Sequence, residues 1–267
     1  MQYLLTSGCG ISQREFKHYP IWVHFPILSH KLKHISMGGP AVGNEFIGRV
    51  CKKHILDNLD KELVVIIQWT SIGKLDMFVE DPKVQKQIKT FNLRNFIVDM
   101  NANVIDGRGF WASSHSDDNI IKELYIQSKV YDHLRDLEQI LDVQNLCELH
   151  NIPYYFFYGY KFDFEFIAKT EELEHLRNNI KWDKFIIHTP IYDLYKASNH
   201  YQYRIFEDPR FMSPMPSFHI EFYMDHIVPI LDTHFSSINF DNIENLPSTS
   251  LTINEPSPIF PRIVIDD

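Results

Sequence analysis

The chain has 267 residues, 44% of them hydrophobic and 14% aromatic, and 26 basic against 35 acidic residues give a net charge of −9. That is enough apolar content for a sizeable core, in one large α/β domain or two small ones. The acidic balance, with no basic block, argues against a partner bound through phosphates, so nucleic acid is not expected.

Three widely spaced cysteines, Cys9, Cys51 and Cys147, form no CxxC pair and no disulfide framework, as expected in a reducing compartment. No apolar run reaches the length of a membrane span and no basic-then-apolar leader opens the chain. The expectation is a soluble, non-secreted protein of the cytoplasm with no membrane partner.

Residues 3–7, a short apolar run, predict a first buried strand stopped by the turn Gly8-Cys9-Gly10. Trp22, Phe25, Leu28 and Leu32 recur at helical spacing and predict a helix over 22–32, disturbed at Pro26. Residues 33–36 suit a short second strand. A glycine-rich loop, Gly38-Gly39-Pro40-Ala41-Val42-Gly43-Asn44, then opens a helix predicted over 45–59. Leu63 to Trp69 is apolar almost throughout, as a parallel strand covered on both faces should be. Residues 73–118 show no clear period and are expected to be irregular, an insertion or a long loop on the active-site side.

A long helix is predicted over 118–150, stopped by Asn151-Ile152-Pro153 and followed by the strand Tyr154 to Tyr158. A short charged helix over 171–178 and a final helix over 219–231 complete the pattern. Beyond 234 the composition turns to Ser, Asn, Pro and Thr, with a last apolar patch at Ile259-Phe260 and Ile263-Val264-Ile265. Residues 235–267 are therefore expected to be an extended tail without a core of its own. Strand, glycine turn, helix and strand in this order predict an α/β fold. The expected form is a three-layer α/β/α sandwich over residues 1–234, with a mainly parallel sheet of about five strands.

Five stretches carry a resemblance. They are Ser7-Gly8-Cys9-Gly10-Ile11-Ser12, Gly39-Pro40-Ala41-Val42-Gly43-Asn44, Gln68-Trp69-Thr70-Ser71, Ile152-Pro153-Tyr154 and Ser213-Pro214-Met215-Pro216-Ser217. In that order they resemble motifs of the SGNH (GDSL-like) hydrolases, especially the divergent members of tailed bacteriophages. The resemblance implies a serine esterase: a serine after the first strand attacks an ester, a histidine near the last helix deprotonates it, and an aspartate orients the histidine. An oxyanion would be held by the nucleophile's amide, a glycine amide and an Asn side chain.

Carried over position by position, that machinery is missing. The nucleophile position is Gly10, the histidine position Met215 and the aspartate position Ser213. The oxyanion Asn falls at Thr70 or Ser71, and only Gly43 of the oxyanion set remains. Removing such a serine or histidine costs about 10⁶-fold in a well-studied protease. The pocket at the family's active-site positions would thus be formed by Gly10, Gly43, Asn44, Thr70, Ser71, Ser213 and Met215.

Three substitutes come into question. Cys9 is one residue early, so its side chain is expected to point away from the site, and a small buried cysteine is the plainer reading. Ser12 is two residues late and suits a turn-capping hydroxyl. His219 sits four residues past Met215 on the first turn of the last helix, where a packing role is the plainer reading. For a metal, only His30 with His34 and His115 with Asp117 and Asp118 come near ligand spacing, and neither forms a motif. No metal and no cofactor are expected. The function implied is a silent hydrolase scaffold kept as a binding or assembly module, with a phage particle as its setting. Protein partners or further copies of the chain would dock through the tail, and a glycan is the alternative ligand. The competing reading is an active esterase or acetyl-ester hydrolase with a rearranged nucleophile.

Overall fold

The computed structural model describes residues 2–9, 22–26, 30, 32–37, 42–79, 97–99, 110–115, 128–160, 162–199 and 216–235. Gly10, Ser12, Ser213, Met215 and the tail from 236 onward lie outside the described residues.

Four strands form a parallel sheet in the order β2-β1-β3-β7. They are β1 (Gln2–Ser7), β2 (Lys33–Ser36), β3 (Glu62–Trp69) and β7 (Tyr154–Tyr158). Leu5 pairs with Ile35 on one side and Val65 on the other, and Trp69 pairs with Tyr158. Beyond β7, Phe185 contributes a single parallel bridge to Phe156. Among the described residues the main sheet has four strands.

Alternation along the strands sends side chains to two cores. Leu5, Val65, Ile67 and Phe156 pack with residues of α1 (Asn44–Leu56) and α2 (Lys129–Leu149). Leu4, Val64, Ile66 and Phe157 pack on the opposite face. There they meet Trp22, Phe25 and residues of α5 (Ile191–Ala197), α6 (Pro216–Phe222) and α7 (Val228–His234). Between β7 and α5 lie two short helices, α3 (Phe164–Lys169) and α4 (Glu174–Asn179). A π-helical turn, Tyr223–Ile227, joins α6 to α7.

The stretch 73–118 departs from the expected irregularity. It carries β4 (Lys74–Val79), β5 (Ile97–Asp99) and β6 (Phe110–His115), an antiparallel sheet in the order β4-β6-β5. The sheet begins directly after Gly73, whose φ of 87° favours glycine. It starts only a few residues from the carboxyl end of β3.

Helix ends refine the sequence reading. The helix predicted over 22–32 opens with a 3₁₀ turn at Trp22–His24, and an i→i−4 bond from His30 N to Pro26 O at 3.0 Å follows it. α1 stops at Leu56, before the predicted 59. α2 starts at Lys129, because Ser128 is extended (φ −128°, ψ 114°) and its side chain accepts a bond from Tyr131 N at 3.2 Å. Ser128→Ala should lower stability by about 1 kcal/mol, read as a lower denaturant midpoint at unchanged slope.

Candidate functional site

In an open parallel sheet, ligands bind beyond the carboxyl ends of the strands where the strand order reverses. Here β2 lies on one side of β1 and β3 on the other, so the reversal falls between β1 and β3. The chain leaving β1 there is Gly8-Cys9, and the chain leaving β3 is Thr70-Ser71. Beside them stand the start of α1, the start of β4 and the residues after β7.

The start of α1 is closed from outside its own segment. Gly43 occupies the cap position and has no side chain to offer, so Asp76 of β4 does the capping. Its Oδ1 accepts from Gly43 N at 2.8 Å and its Oδ2 accepts from Phe46 N at 2.8 Å. A Cβ at position 43 would stand 2.5 Å from Asp76 Oδ2, so only glycine lets the carboxylate this close. A negative group here also complements the positive end of the helix.

Asn44 is equally committed. Its Oδ1 accepts from Thr70 N at 2.9 Å, and its Nδ2 donates to Asp136 Oδ2 at 3.1 Å and to Thr70 O at 3.4 Å. Asp136, on α2, also accepts from Gly73 N at 3.2 Å and from Arg135 Nε at 3.3 Å. Arg135 Nη2 in turn donates to Lys74 O at 2.8 Å. Burial raises the Asp136 carboxyl to about 7, against the opposing pull of Arg135 and of its bond from Asn44. Thr70 is fully buried, and its Oγ1 has no hydrogen-bond partner.

Cys9 completes the arrangement. Its Sγ accepts from Gln68 Nε2 at 2.9 Å, and burial pushes the neighbouring Tyr160 phenol well up. Gln68 reaches it over Gly159, where any Cβ would fall 1.9 Å from Nε2. Lys74 is 7% exposed, with its Nζ 5.8 Å from the centre of the Tyr160 ring. Burial pushes the Lys74 amine down. Asp76 and Asp136 are among the charges that hold it up.

Of the residues singled out in the sequence, the structure gathers Cys9, Gly43, Asn44 and Thr70 at this end of the sheet, and Ser71 follows directly. Cys9 is buried at the carboxyl end of β1, its thiol accepting from Gln68 Nε2, which fits the plainer reading of a small buried cysteine. His219, read as a packing residue, is fully buried on the opposite face beside Phe218. His30 and His34 hold separate partners. His34 Nε2 lies 2.7 Å from Thr6 Oγ1, while His30 faces Tyr223 OH at 3.2 Å and Asp232 at 3.6 Å. Asp117 and Asp118 lie outside the described residues. Among the described residues no three His, Cys, Asp or Glu side chains gather as a metal site. No helix among them is long and apolar enough to cross a membrane.

Sequence reasoning missed Lys74, Asp76, Arg135 and Asp136. The signal for the first two was charge alternating with apolar residues directly after a glycine. For the second pair it was Arg135-Asp136 set between Leu134 and Leu137 of an apolar stripe. No family model, curated protein or solved structure matches the chain.

Proposed function

We propose that the chain is a binding or assembly module on a hydrolase-type α/β scaffold, without ester hydrolysis of its own. One observation carries this reading: the Gly43 amide, the surviving oxyanion position, already donates to the Asp76 carboxylate. A developing oxyanion would have to displace a fixed negative charge to use that donor, which opposes the stabilisation that acyl transfer needs. Asn44 supports the same reading, since both ends of its amide are spent on Thr70 and Asp136. So do the sequence positions themselves, with glycine and methionine where the resemblance implies serine and histidine. The five ordered motifs support an ancestry among SGNH-like hydrolases, and through it a role in a phage particle. Residues 235–267 are the segment proposed to meet protein partners.

Hydrolysis of p-nitrophenyl acetate tests the silent site. The wild type, Cys9→Ala and Ser12→Ala are expected to share the rate of a non-enzymatic protein control. Turnover above that control which disappears in either variant would establish the esterase instead. Light scattering across a concentration series tests the other half: self-association is expected in the full chain and absent after deletion of 235–267.

A further inference from the structure

We infer that helix α3 is an acid-released flap over the carboxyl end of β7, held shut by the neutral ring of His133. The inference adds a regulated opening to the scaffold and does not depend on the proposed function.

The flap covers a defined place. Phe162 stacks on Tyr158, the last residue of β7, with ring centroids 3.9 Å apart and planes 25° from parallel. Phe164, the first residue of α3, meets the same ring edge-on at 5.6 Å. Beneath them the Tyr158 side chain is fully buried, and its hydroxyl has no hydrogen-bond partner. A buried polar atom in that state costs stability. Lifting α3 would return it to water or offer it to a ligand at the strand end.

The two ends of α3 are held differently. At the carboxyl end, Arg177 of α4 donates from Nη1 to Ile167 O at 2.9 Å and Ala168 O at 2.6 Å. A guanidinium keeps its charge throughout the acid range, so this end acts as the hinge. The amino end is gripped by α2. Lys129 Nζ pairs with Asp163 at 2.8 Å and stands 3.9 Å from the centre of the Phe166 ring. His133, one turn further along α2, lies 4.6 Å from that same ring.

The protonation state of His133 follows from its contacts. Its Nδ1 lies 2.6 Å from the Lys129 carbonyl, which can only accept, so Nδ1 carries the ring proton and Nε2 is a bare acceptor. Nε2 is buried without a partner. A proton added there creates a cation with no acceptor, close to the Lys129 ammonium. Burial pushes the imidazole below its ordinary range. The bond to the Lys129 carbonyl opposes this, the Lys129 charge reinforces it, and Asp163 and Asp132 oppose it. With the flap lifted the ring meets water and regains its ordinary value, so acid favours the open form. Asp163 is held below the usual carboxylate range by its bond from Lys129, so the ion pair itself does not fail in that window.

Amide hydrogen exchange on the full-length chain at about pH 7.5 and about pH 5, corrected for the intrinsic rate, tests this. The Phe166 and Ile167 amides, which donate to Asp163, report on the flap. Their opening is expected to rise several-fold at the lower pH. The limit is about thirtyfold, for an imidazole that titrates near 6.5 when exposed. Amides of α2 from Leu137 to Cys147 should keep their protection. His133→Phe keeps a ring against Phe166 and cannot titrate, so its flap should open equally at both pH values. His133→Gln serves the same purpose should the first variant fold poorly. An unchanged wild-type flap at about pH 5 would overturn the inference. So would the same acid response in either variant, or loss of α2 protection in step with α3. Exchange at these amides requires neither ester turnover nor association, so either proposal can fail without the other.

Discussion

Asp76→Ala is expected to lower the unfolding free energy by about 3–4 kcal/mol in a denaturant titration. The two amides it serves, Gly43 N and Phe46 N, are buried at the start of α1. Alanine leaves both without an acceptor, and each orphaned buried donor costs about 1–3 kcal/mol. The loss of a negative charge at the helix start adds a further few tenths to about 1 kcal/mol. The removed carboxylate also leaves a small void, into which water can move and recover part of the loss. Asp76→Asn separates these contributions. It keeps the shape and one acceptor but turns a donor toward a donor, so a loss of about 2 kcal/mol is expected. A midpoint for Asp76→Ala that matches the wild type would mean the carboxylate is not what holds the two segments together.

The second large effect depends on pH. Asp136 has a folded-state value raised to about 7 from an ordinary 3.8, chiefly by burial. A group raised on folding contributes stability that is fully present below its unfolded value and is lost as pH rises through its folded value. Its contribution should therefore shrink from about pH 4 to about pH 7, by roughly 4 kcal/mol in the limit. Asp136→Asn mimics the protonated side chain. It can still accept from Asn44 and Gly73, and Arg135 keeps its bond to the Lys74 carbonyl and its pairing with Asp132.

The histidines run the other way. His30, His54, His133, His226 and His234 are all lowered by burial, so their contribution is lost as pH falls below about 6.5. The absolute stability curve mixes both trends, but the difference between Asp136→Asn and wild type removes the histidines. That difference should move in favour of the variant by several-fold RT between pH 4 and pH 8. A difference that stays flat with pH would show that the carboxyl titrates normally.

The parallel sheet was legible because its strands are apolar on both faces. Leu63 to Trp69 and Tyr154 to Tyr158 announce themselves by composition alone. The second sheet was not, and β4 shows why. Its residues Lys74 and Asp76 are buried, so charge occupies positions where alternation leads one to expect apolar side chains. Those charges face the strand ends and the start of α1, a context that exists only once β1, β3 and α2 are assembled. Ser128 illustrates a smaller gap: an apolar pattern running on through Ile120, Ile121 and Leu124 hides the cap that starts the helix at Lys129. Cys9 was visible, but its surroundings were not. The residues around it come from positions 68, 74 and 160, and no spacing rule along the chain brings those numbers together.

The two cores carry one buried tryptophan each. Trp22 lies edge-on to Phe157 and Phe222 in one, and Trp69 lies edge-on to Phe156 in the other. Indole emission is sensitive to the polarity around the ring, so with Trp111 and Trp182 replaced by phenylalanine the pair gives the molecule two optical reporters on opposite sides of one wall. Replacing either by phenylalanine silences one channel. Loosening of the layer that holds the last helices can then be followed apart from events in the layer that holds the thiol.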